Sequence, residues 1–282
     1  MQISFTVHKT INVISGVSIM RFSRLVLLSL SVGIAAACEN DKVTTPTTPS
    51  HSDIRWVNAV ADTGAVDIRF IDQIDLSPPG NNLAFRAGTP YNAAEAKTRH
   101  VRVFPTSLNI AVTSTVLLDT TLVIPDGQRI TYILTGASRT AGQLKFISVT
   151  DDVTAPAAGS ISVRTVNVSG APVSGYLVAT TSDALPGTAT FANVANNAAS
   201  AYVSRAIGAA AVRFTDPGSA TINASGAGPT APAVLTGAYP AAGVNTAGTS
   251  FSVYYFSKAR AGSVSTPGAV WFVDRNPCDA GC

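Results

Sequence analysis

From Asp53 onward, apolar stretches of four to eight residues alternate with Gly, Pro, Asp and Asn, the rhythm of short strands joined by turns. The pattern predicts strands over Ile54–Ala59, Ala65–Ile71, His100–Phe104, Leu108–Ser114, Val116–Ile124, Arg129–Thr135 and Leu144–Thr150. Between two of them lies Pro125-Asp126-Gly127, where Pro presets φ, Asp caps and Gly takes positive φ. That turn predicts a hairpin of Val116–Ile124 with Arg129–Thr135. The one helical candidate is Asn92–Lys97, with Asn92 as cap and Glu95 three residues on.

A second series follows: Ile161–Val168, Val173–Thr180, Ala199–Ser204, Ala210–Thr215, Pro232–Ala238, Ser250–Ser257 and Ala269–Asp274. The two series read as copies of one unit. Arg55-Trp56-Val57-Asn58 matches Arg164-Thr165-Val166-Asn167, and Val101–Phe104 matches Ala211–Phe214. Arg129–Thr135 matches Ser250–Phe256, and Gly142–Ile147 matches Gly268–Val273, in the same order. The expected fold is therefore all-β: two immunoglobulin-like or related antiparallel β-sandwich domains in tandem. They are placed at 53–155 and 156–277, parted near Ala155–Gly159, with a Cys-containing tail at 278–282.

The chain ahead of these series is organised differently. Leu25–Ala37 is an unbroken run of apolar and small residues, with Arg21 and Arg24 before it and Cys38 after it. This is the order of a signal peptide (1–37): a basic segment, an apolar segment too short for a bilayer, and a small-residue cleavage site. Ala35-Ala36-Ala37-Cys38 resembles a bacterial lipobox, although Ala35 stands where Leu is usual. The resemblance implies lipidation of Cys38 and a membrane partner through that lipid. A Cys at the cleavage point, in a chain with three Cys, ranks this reading above an uncleaved anchor or a plain signal peptide. Met20 is the preferred start of translation. Residues 38–52, with Thr44-Thr45-Pro46-Thr47-Thr48-Pro49 at their centre, read as an extended tether. Glu39 after the Cys, by resemblance to lipoprotein sorting, points to the outer membrane or cell surface of a bacterial envelope.

Arg55-Trp56-Val57-Asn58-Ala59 followed by Val66-Asp67-Ile68 resembles the opening of the bacterial domain-of-unknown-function 4397 family. The family's pattern has His where Asn58 and Asn167 stand, and Val-Asp-Val where the second copy has Val173-Ser174-Gly175. The resemblance extends over about 53–275 as two copies. It implies a β-sandwich-like secreted or surface module and supplies no active site.

Charge narrows the partners. Only 12% of the residues are charged, and the excess cations Lys9, Arg21 and Arg24 all precede Cys38. The mature chain is formally neutral, which argues against nucleic acid as a partner. Catalytic chemistry is sparse: the histidines are His8, His51 and His100, and no nucleophile elbow, zinc motif or phosphate loop is present. No catalytic residue, metal or cofactor is assigned. Asp72 with Asp75, or Asp151 with Asp152, are the pairs a glycan hydrolase would use, and turn-capping roles are preferred for all four. Arg55, Asn58, Arg164 and Asn167 recur, which suggests one structural task performed twice, with each Asn satisfying backbone at a strand end. Cys278 and Cys282 are read as a disulfide, with zinc the alternative. Tyr91, Tyr176, Tyr202, Tyr239, Tyr254 and Tyr255 could form a glycan-stacking surface or serve as core. The function expected is a non-enzymatic binding or adhesion module with a glycan or protein ligand. The alternatives are a purely structural envelope protein and an extracellular hydrolase acting on glycans.

Overall fold

The computed structural model describes residues 48–74, 78–152, 154–231, 242–259 and 266–277. Residues 49–282 form one compact unit. The described chain is almost entirely strand, as the alternating pattern requires.

The first half makes two sheets. One contains β1 (His51–Asn58), β4 (Asn92–Glu95), β7 (Arg129–Thr135) and β8 (Lys145–Thr150), in the order β4-β1-β7-β8. The other contains β2 (Val66–Phe70), β3 (Gly80–Leu83), β5 (Thr98–Pro105) and β6 (Leu118–Val123), in the order β3-β2-β5-β6. The second half repeats the plan. Strands β9 (Ser160–Val168), β12 (Ala198–Ala199), β13 (Val203–Ala206), β16 (Ser250–Phe256) and β17 (Gly268–Arg275) form its first sheet. Strands β10 (Val173–Val178), β11 (Phe191–Val194), β14 (Ala211–Thr215) and β15 (Ile222–Ala227) form its second, ordered β11-β10-β14-β15. Pairing is antiparallel except at β1 with β7 and β9 with β16, which run parallel in the same position of each half.

Alternation along the strands decides which sheet faces which. Ile54 and Trp56 of β1 point into a core shared with Ile68 of β2 and Val101 and Val103 of β5. Val57 and Ala59 point the other way, against Val166, Val168, Tyr254 and Phe256 of the second half. Strands β9 and β16 likewise turn Val163, Phe251 and Val253 toward Val212 and Phe214 of β14. The four sheets therefore stack in four layers, and the two inner ones are buried on both faces.

Local sequence was overruled at three places. The turn at Pro125-Asp126-Gly127 exists, with Gly127 at φ 65°, but it makes no hairpin. It carries the chain from β6 in the outer sheet to β7 in the inner one, because β7 finds a parallel partner in β1. Asn92–Lys97 is not helical: β4 pairs with the edge of β1, and long-range pairing outweighs the local cap. Leu108–Ser114 has no neighbouring strand and instead forms one helical turn, α1 (Ile110–Thr113), with Asn109 Oδ1 capping Ala111 N. Strands β3, β11 and β15 were unforeseen, being short or rich in Gly and Asn. Strand β1 also begins at His51, two residues inside the expected tether. Pro232–Ala238 lies outside the described residues.

The register also corrects the internal match. Val66 pairs with Leu83 and Ile68 with Val103 as Val173 pairs with Val194 and Gly175 with Phe214. Arg102 thus corresponds to Arg213, one place from the alignment read in the sequence. Ile133 pairs with Ile147 as Tyr254 pairs with Val270, so Lys145–Thr150 corresponds to Gly268–Val273. That moves the sequence match by three residues.

Candidate functional site

The recurring Arg55 and Arg164 sit on the faces of β1 and β9 that look across at the other half. Each reaches over to a carboxylate at the end of the other half's last strand. Arg55 Nη2 donates to Asp274 Oδ1 at 2.6 Å, and Arg164 Nη2 donates to Asp151 Oδ1. The Nε groups donate at home, Arg55 to Thr131 Oγ1 at 3.0 Å and Arg164 to Ser252 Oγ at 2.7 Å. The Nη1 groups cross again, to Val273 O at 3.0 Å and Thr150 O at 2.9 Å. Tyr91 Oη and Thr131 Oγ1 both donate to Asp151 Oδ2, while Tyr202 Oη and Ser252 Oγ both donate to Asp274 Oδ2. Each guanidinium also lies 4.6 Å from the ring centre of its own half's tyrosine, Arg55 over Tyr91 and Arg164 over Tyr202. The cluster has an approximate twofold symmetry running along the strands.

Burial makes this arrangement consequential. The side chains of Asp151 and Asp274 are 0% exposed, and those of Arg55 and Arg164 are 2% and 5% exposed. Burial alone works to lower the Arg55 pKa, but Asp274 and the other acidic groups around it outweigh that, and the net shift is upward. Arg164 behaves the same way. Burial and the nearby Asp274 push the Asp151 carboxyl above its ordinary 3.8, against the two arginines. Burial pushes Tyr91, Tyr202 and Tyr254 above the usual 10. Two positive and two negative groups cancel within a few ångströms. Both oxygens of each carboxylate are already engaged, so the cluster is a clamp between halves.

The other residues singled out in the sequence are dispersed. Asn58 Nδ2 donates to Leu83 O while its Oδ1 accepts from Val60 N; Asn167 does the same with Val194 O and Ser169 N. Both tie the end of the first strand to the third strand of their half, the strand-end role read for them. Asp151 departs from the turn-capping role: it is a member of the clamp. Asp152 does cap, at Thr154 N. Asp72 is held by Arg99 Nε at 2.8 Å, and Asp75 lies outside the described residues. His51 is the exposed first residue of β1, and exposed His100 meets Asp119 on the outer sheet. Tyr91, Tyr202 and Tyr254 are clamp or interface residues, and Tyr255 lies in the second half's core with Phe214 at 4.9 Å between ring centres. Cys38, Cys278, Cys282 and Tyr239 lie outside the described residues. Among those described, no group of three or more His, Cys, Asp or Glu is arranged to hold a metal ion.

Sequence reasoning missed Tyr91, Tyr202, Thr131, Ser252 and Asp274 as partners of the arginines. The signal was present: Thr89-x-Tyr91 matches Ser200-x-Tyr202, and Asp151 and Asp274 stand at the ends of the last strands, Asp151 just after β8 and Asp274 next to last in β17. A three-residue slip in the alignment of those last strands hid it.

Open regions also lie among the described residues, including one of about 370 Å³ against the clamp, lined by Asp53, Tyr91, Arg129 and Asp274. At the end of the stack where β1 and β9 finish, loops of both halves border a cleft of about 320 Å³. Thr135, Gln143, Lys145, Ser169, Asn196 and Asn197 supply its polar groups. Beside β5 at the same end, Thr106 N bonds to Ala65 O and opens the loop that carries exposed Leu108 and Ile110. Another cavity, of about 290 Å³, opens on one side of the first half, between its two sheets.

No curated protein matches the chain. Residues 52–173 match the model of a family described as Domain of unknown function (DUF4397), a span that runs from β1 through β9 to the first residue of β10.

Proposed function

We propose that this protein is a non-enzymatic binding or adhesion module of the bacterial cell envelope, held by a lipid on Cys38 and built from two copies of the DUF4397 type. The observation that carries the reading is the placement of loops in residues 49–282. The chain enters the stack at Pro49–His51, at the end where β1 begins. The loops around Asp62, Ser138, Gly170 and Asn197 gather at the opposite end, with the cleft between them and the uncharged stretch Thr106–Leu118 alongside. A body tethered at one end presents the other, and rigid sheets with variable loops are the usual way of doing so. Hydroxyl and amide groups in the cleft suit a glycan, whose hydroxyls need paired donors and acceptors.

The anchor is tested by growing cells with labelled palmitate. The wild-type protein takes up the label and sediments with membranes, and Cys38→Ser does neither. Equal labelling of both would overturn the anchor. Binding is tested on a glycan array and on isolated cell wall with the full chain. Retention that falls at least tenfold in Asn196→Ala/Lys145→Ala supports the reading. No retention by either material would favour a purely structural role.

A further inference from the structure

We propose that the side cavity of the first half is a binding site for a small uncharged aromatic molecule that carries a hydroxyl or carboxamide group. The cavity goes beyond the envelope reading, because it belongs to the fold whether or not the chain is tethered. Its floor is Ile54, Trp56, Ile68 and Phe70, with the Trp56 and Phe70 ring centres 5.6 Å apart. At about 290 Å³ it sits at the lower end of ligand pockets, which accommodates one ring with a short substituent. None of the described side chains that line it is charged.

Two amides in the lining supply the polar specificity. A guanidinium can only donate, so the bond from Arg99 Nη2 fixes the Gln73 carbonyl oxygen on the arginine and leaves the Gln73 NH2 as the free donor. Asn92 spends an Nδ2 hydrogen on Pro90 O, which leaves its Oδ1 as an acceptor. The first can donate to a ligand oxygen, and the second can accept from a ligand hydroxyl or NH2. A carboxylate would meet the acceptor unfavourably and lose its hydration in an apolar pocket.

The second half shows that the opening is particular to the first. By strand register Gly80 corresponds to Phe191, a buried core residue. Ala94 corresponds to Arg205, since Ser52 pairs with Ala94 as Ile161 pairs with Arg205. Arg205 spans the seam between sheets, donating to Val178 O at 2.9 Å and Ala209 O at 2.7 Å. Space at Gly80 is taken up by Ile68, so the difference that bears on the opening is Ala94, a lining residue of the cavity, where the second half has a strap. The space is not a by-product of the shared topology.

The test is titration of the full chain with p-cresol, toluene and benzoate, followed by calorimetry and by fluorescence of Trp56, one of two tryptophans. Saturable p-cresol binding is expected, at least tenfold tighter than toluene, with benzoate not binding. Ala94→Arg, which imports the second half's strap, is expected to abolish it. If that variant melts early, Gln73→Ala on the exposed rim serves instead, and brings p-cresol down to the affinity of toluene. The proposal is overturned if p-cresol does not saturate, or binds a folded Ala94→Arg chain as well as the wild type. Toluene binding as tightly as p-cresol would overturn the hydroxyl specificity. Binding only of an aromatic side chain within a peptide, with free p-cresol inert, would overturn the small-molecule assignment in favour of a protein partner.

Discussion

The two halves share a strand plan but fill it differently. Trp56 in the first core corresponds to Thr165, Val103 to Phe214, Ile68 to Gly175 and Gly80 to Phe191. Bulk has moved from β1 and β2 to β11 and β14. A Cβ on Gly80 would lie 2.8 Å from Ile68 O, and one on Gly175 would lie 3.0 Å from the Phe214 ring, so each glycine makes room for its half's large residue. The polar positions hardly change. Arg55 and Arg164, Asn58 and Asn167, Tyr91 and Tyr202, and Asp151 and Asp274 recur, while Thr131 becomes Ser252 and Asp67 becomes Ser174. Apolar volume can be redistributed so long as its sum fills the layer, but an unsatisfied buried polar group has no such freedom.

The comparison breaks first at the clamp. Arg55→Ala and Arg164→Ala should each lose about 3–5 kcal/mol in urea unfolding, since each strands a buried carboxylate. Adding Asp274→Ala to Arg55→Ala should recover part of the loss, and adding Asp151→Ala should recover less. Equal recovery would mean that the pairs do not cross between halves. Next in size is the core: Trp56→Thr, which gives the first half the second's residue, should cost about 3–5 kcal/mol. Thr165→Val should cost almost nothing, because Thr165 Oγ1 is buried without a partner. Asn58→Ala and Asn167→Ala should each cost about 1–3 kcal/mol by leaving strand-end backbone groups unbonded, and a large inequality between them would sharpen where the halves differ.

A further difference shows in acid. Burial opposes the Asp67 charge, but hydrogen bonds from Thr106 and from Asn82 N, with Arg69 nearby, outweigh it and hold its pKa below the ordinary 3.8. Its contribution is therefore whole above that pH and drains away as the pH falls through the lower, folded-state value. Ser174 takes the same backbone bond, from Asn193 N, with no titrating group. Asp67→Ser should flatten the acid limb of the stability curve, and Ser174→Asp should steepen it, both followed by thermal melts between pH 2 and pH 6.

The strand plan was legible because alternation and turn residues are local. Arg129–Thr135 was read to the residue, and most other long strands to within two. Leu108–Ser114 and Asn92–Lys97 failed because the presence or absence of a partner strand is not written in the segment itself. The hairpin failed for the same reason: Pro125-Asp126-Gly127 specifies a reversal, and only β1 specifies which sheet receives the chain afterward. The clamp was half legible. Repetition of Arg55 and Arg164 was plain in the sequence, but their partners lie 219 and 13 positions away, and only the layered stack brings both carboxylates to the arginines.

The crossing of the clamp sets an order of events for a chain made from its N-terminus. Arg55 is synthesised long before Asp274, which lies 219 positions further on. Until that last strand arrives, Arg55 lacks its 2.6 Å partner and keeps only the more distant Asp151, at 3.8 Å, on a face meant for burial. A chain cut short anywhere upstream of Asp274 would leave that gap permanent and open to proteases. The geometry thereby acts as a check on progress, since only copies that reach Asp274 complete the crossed pairs.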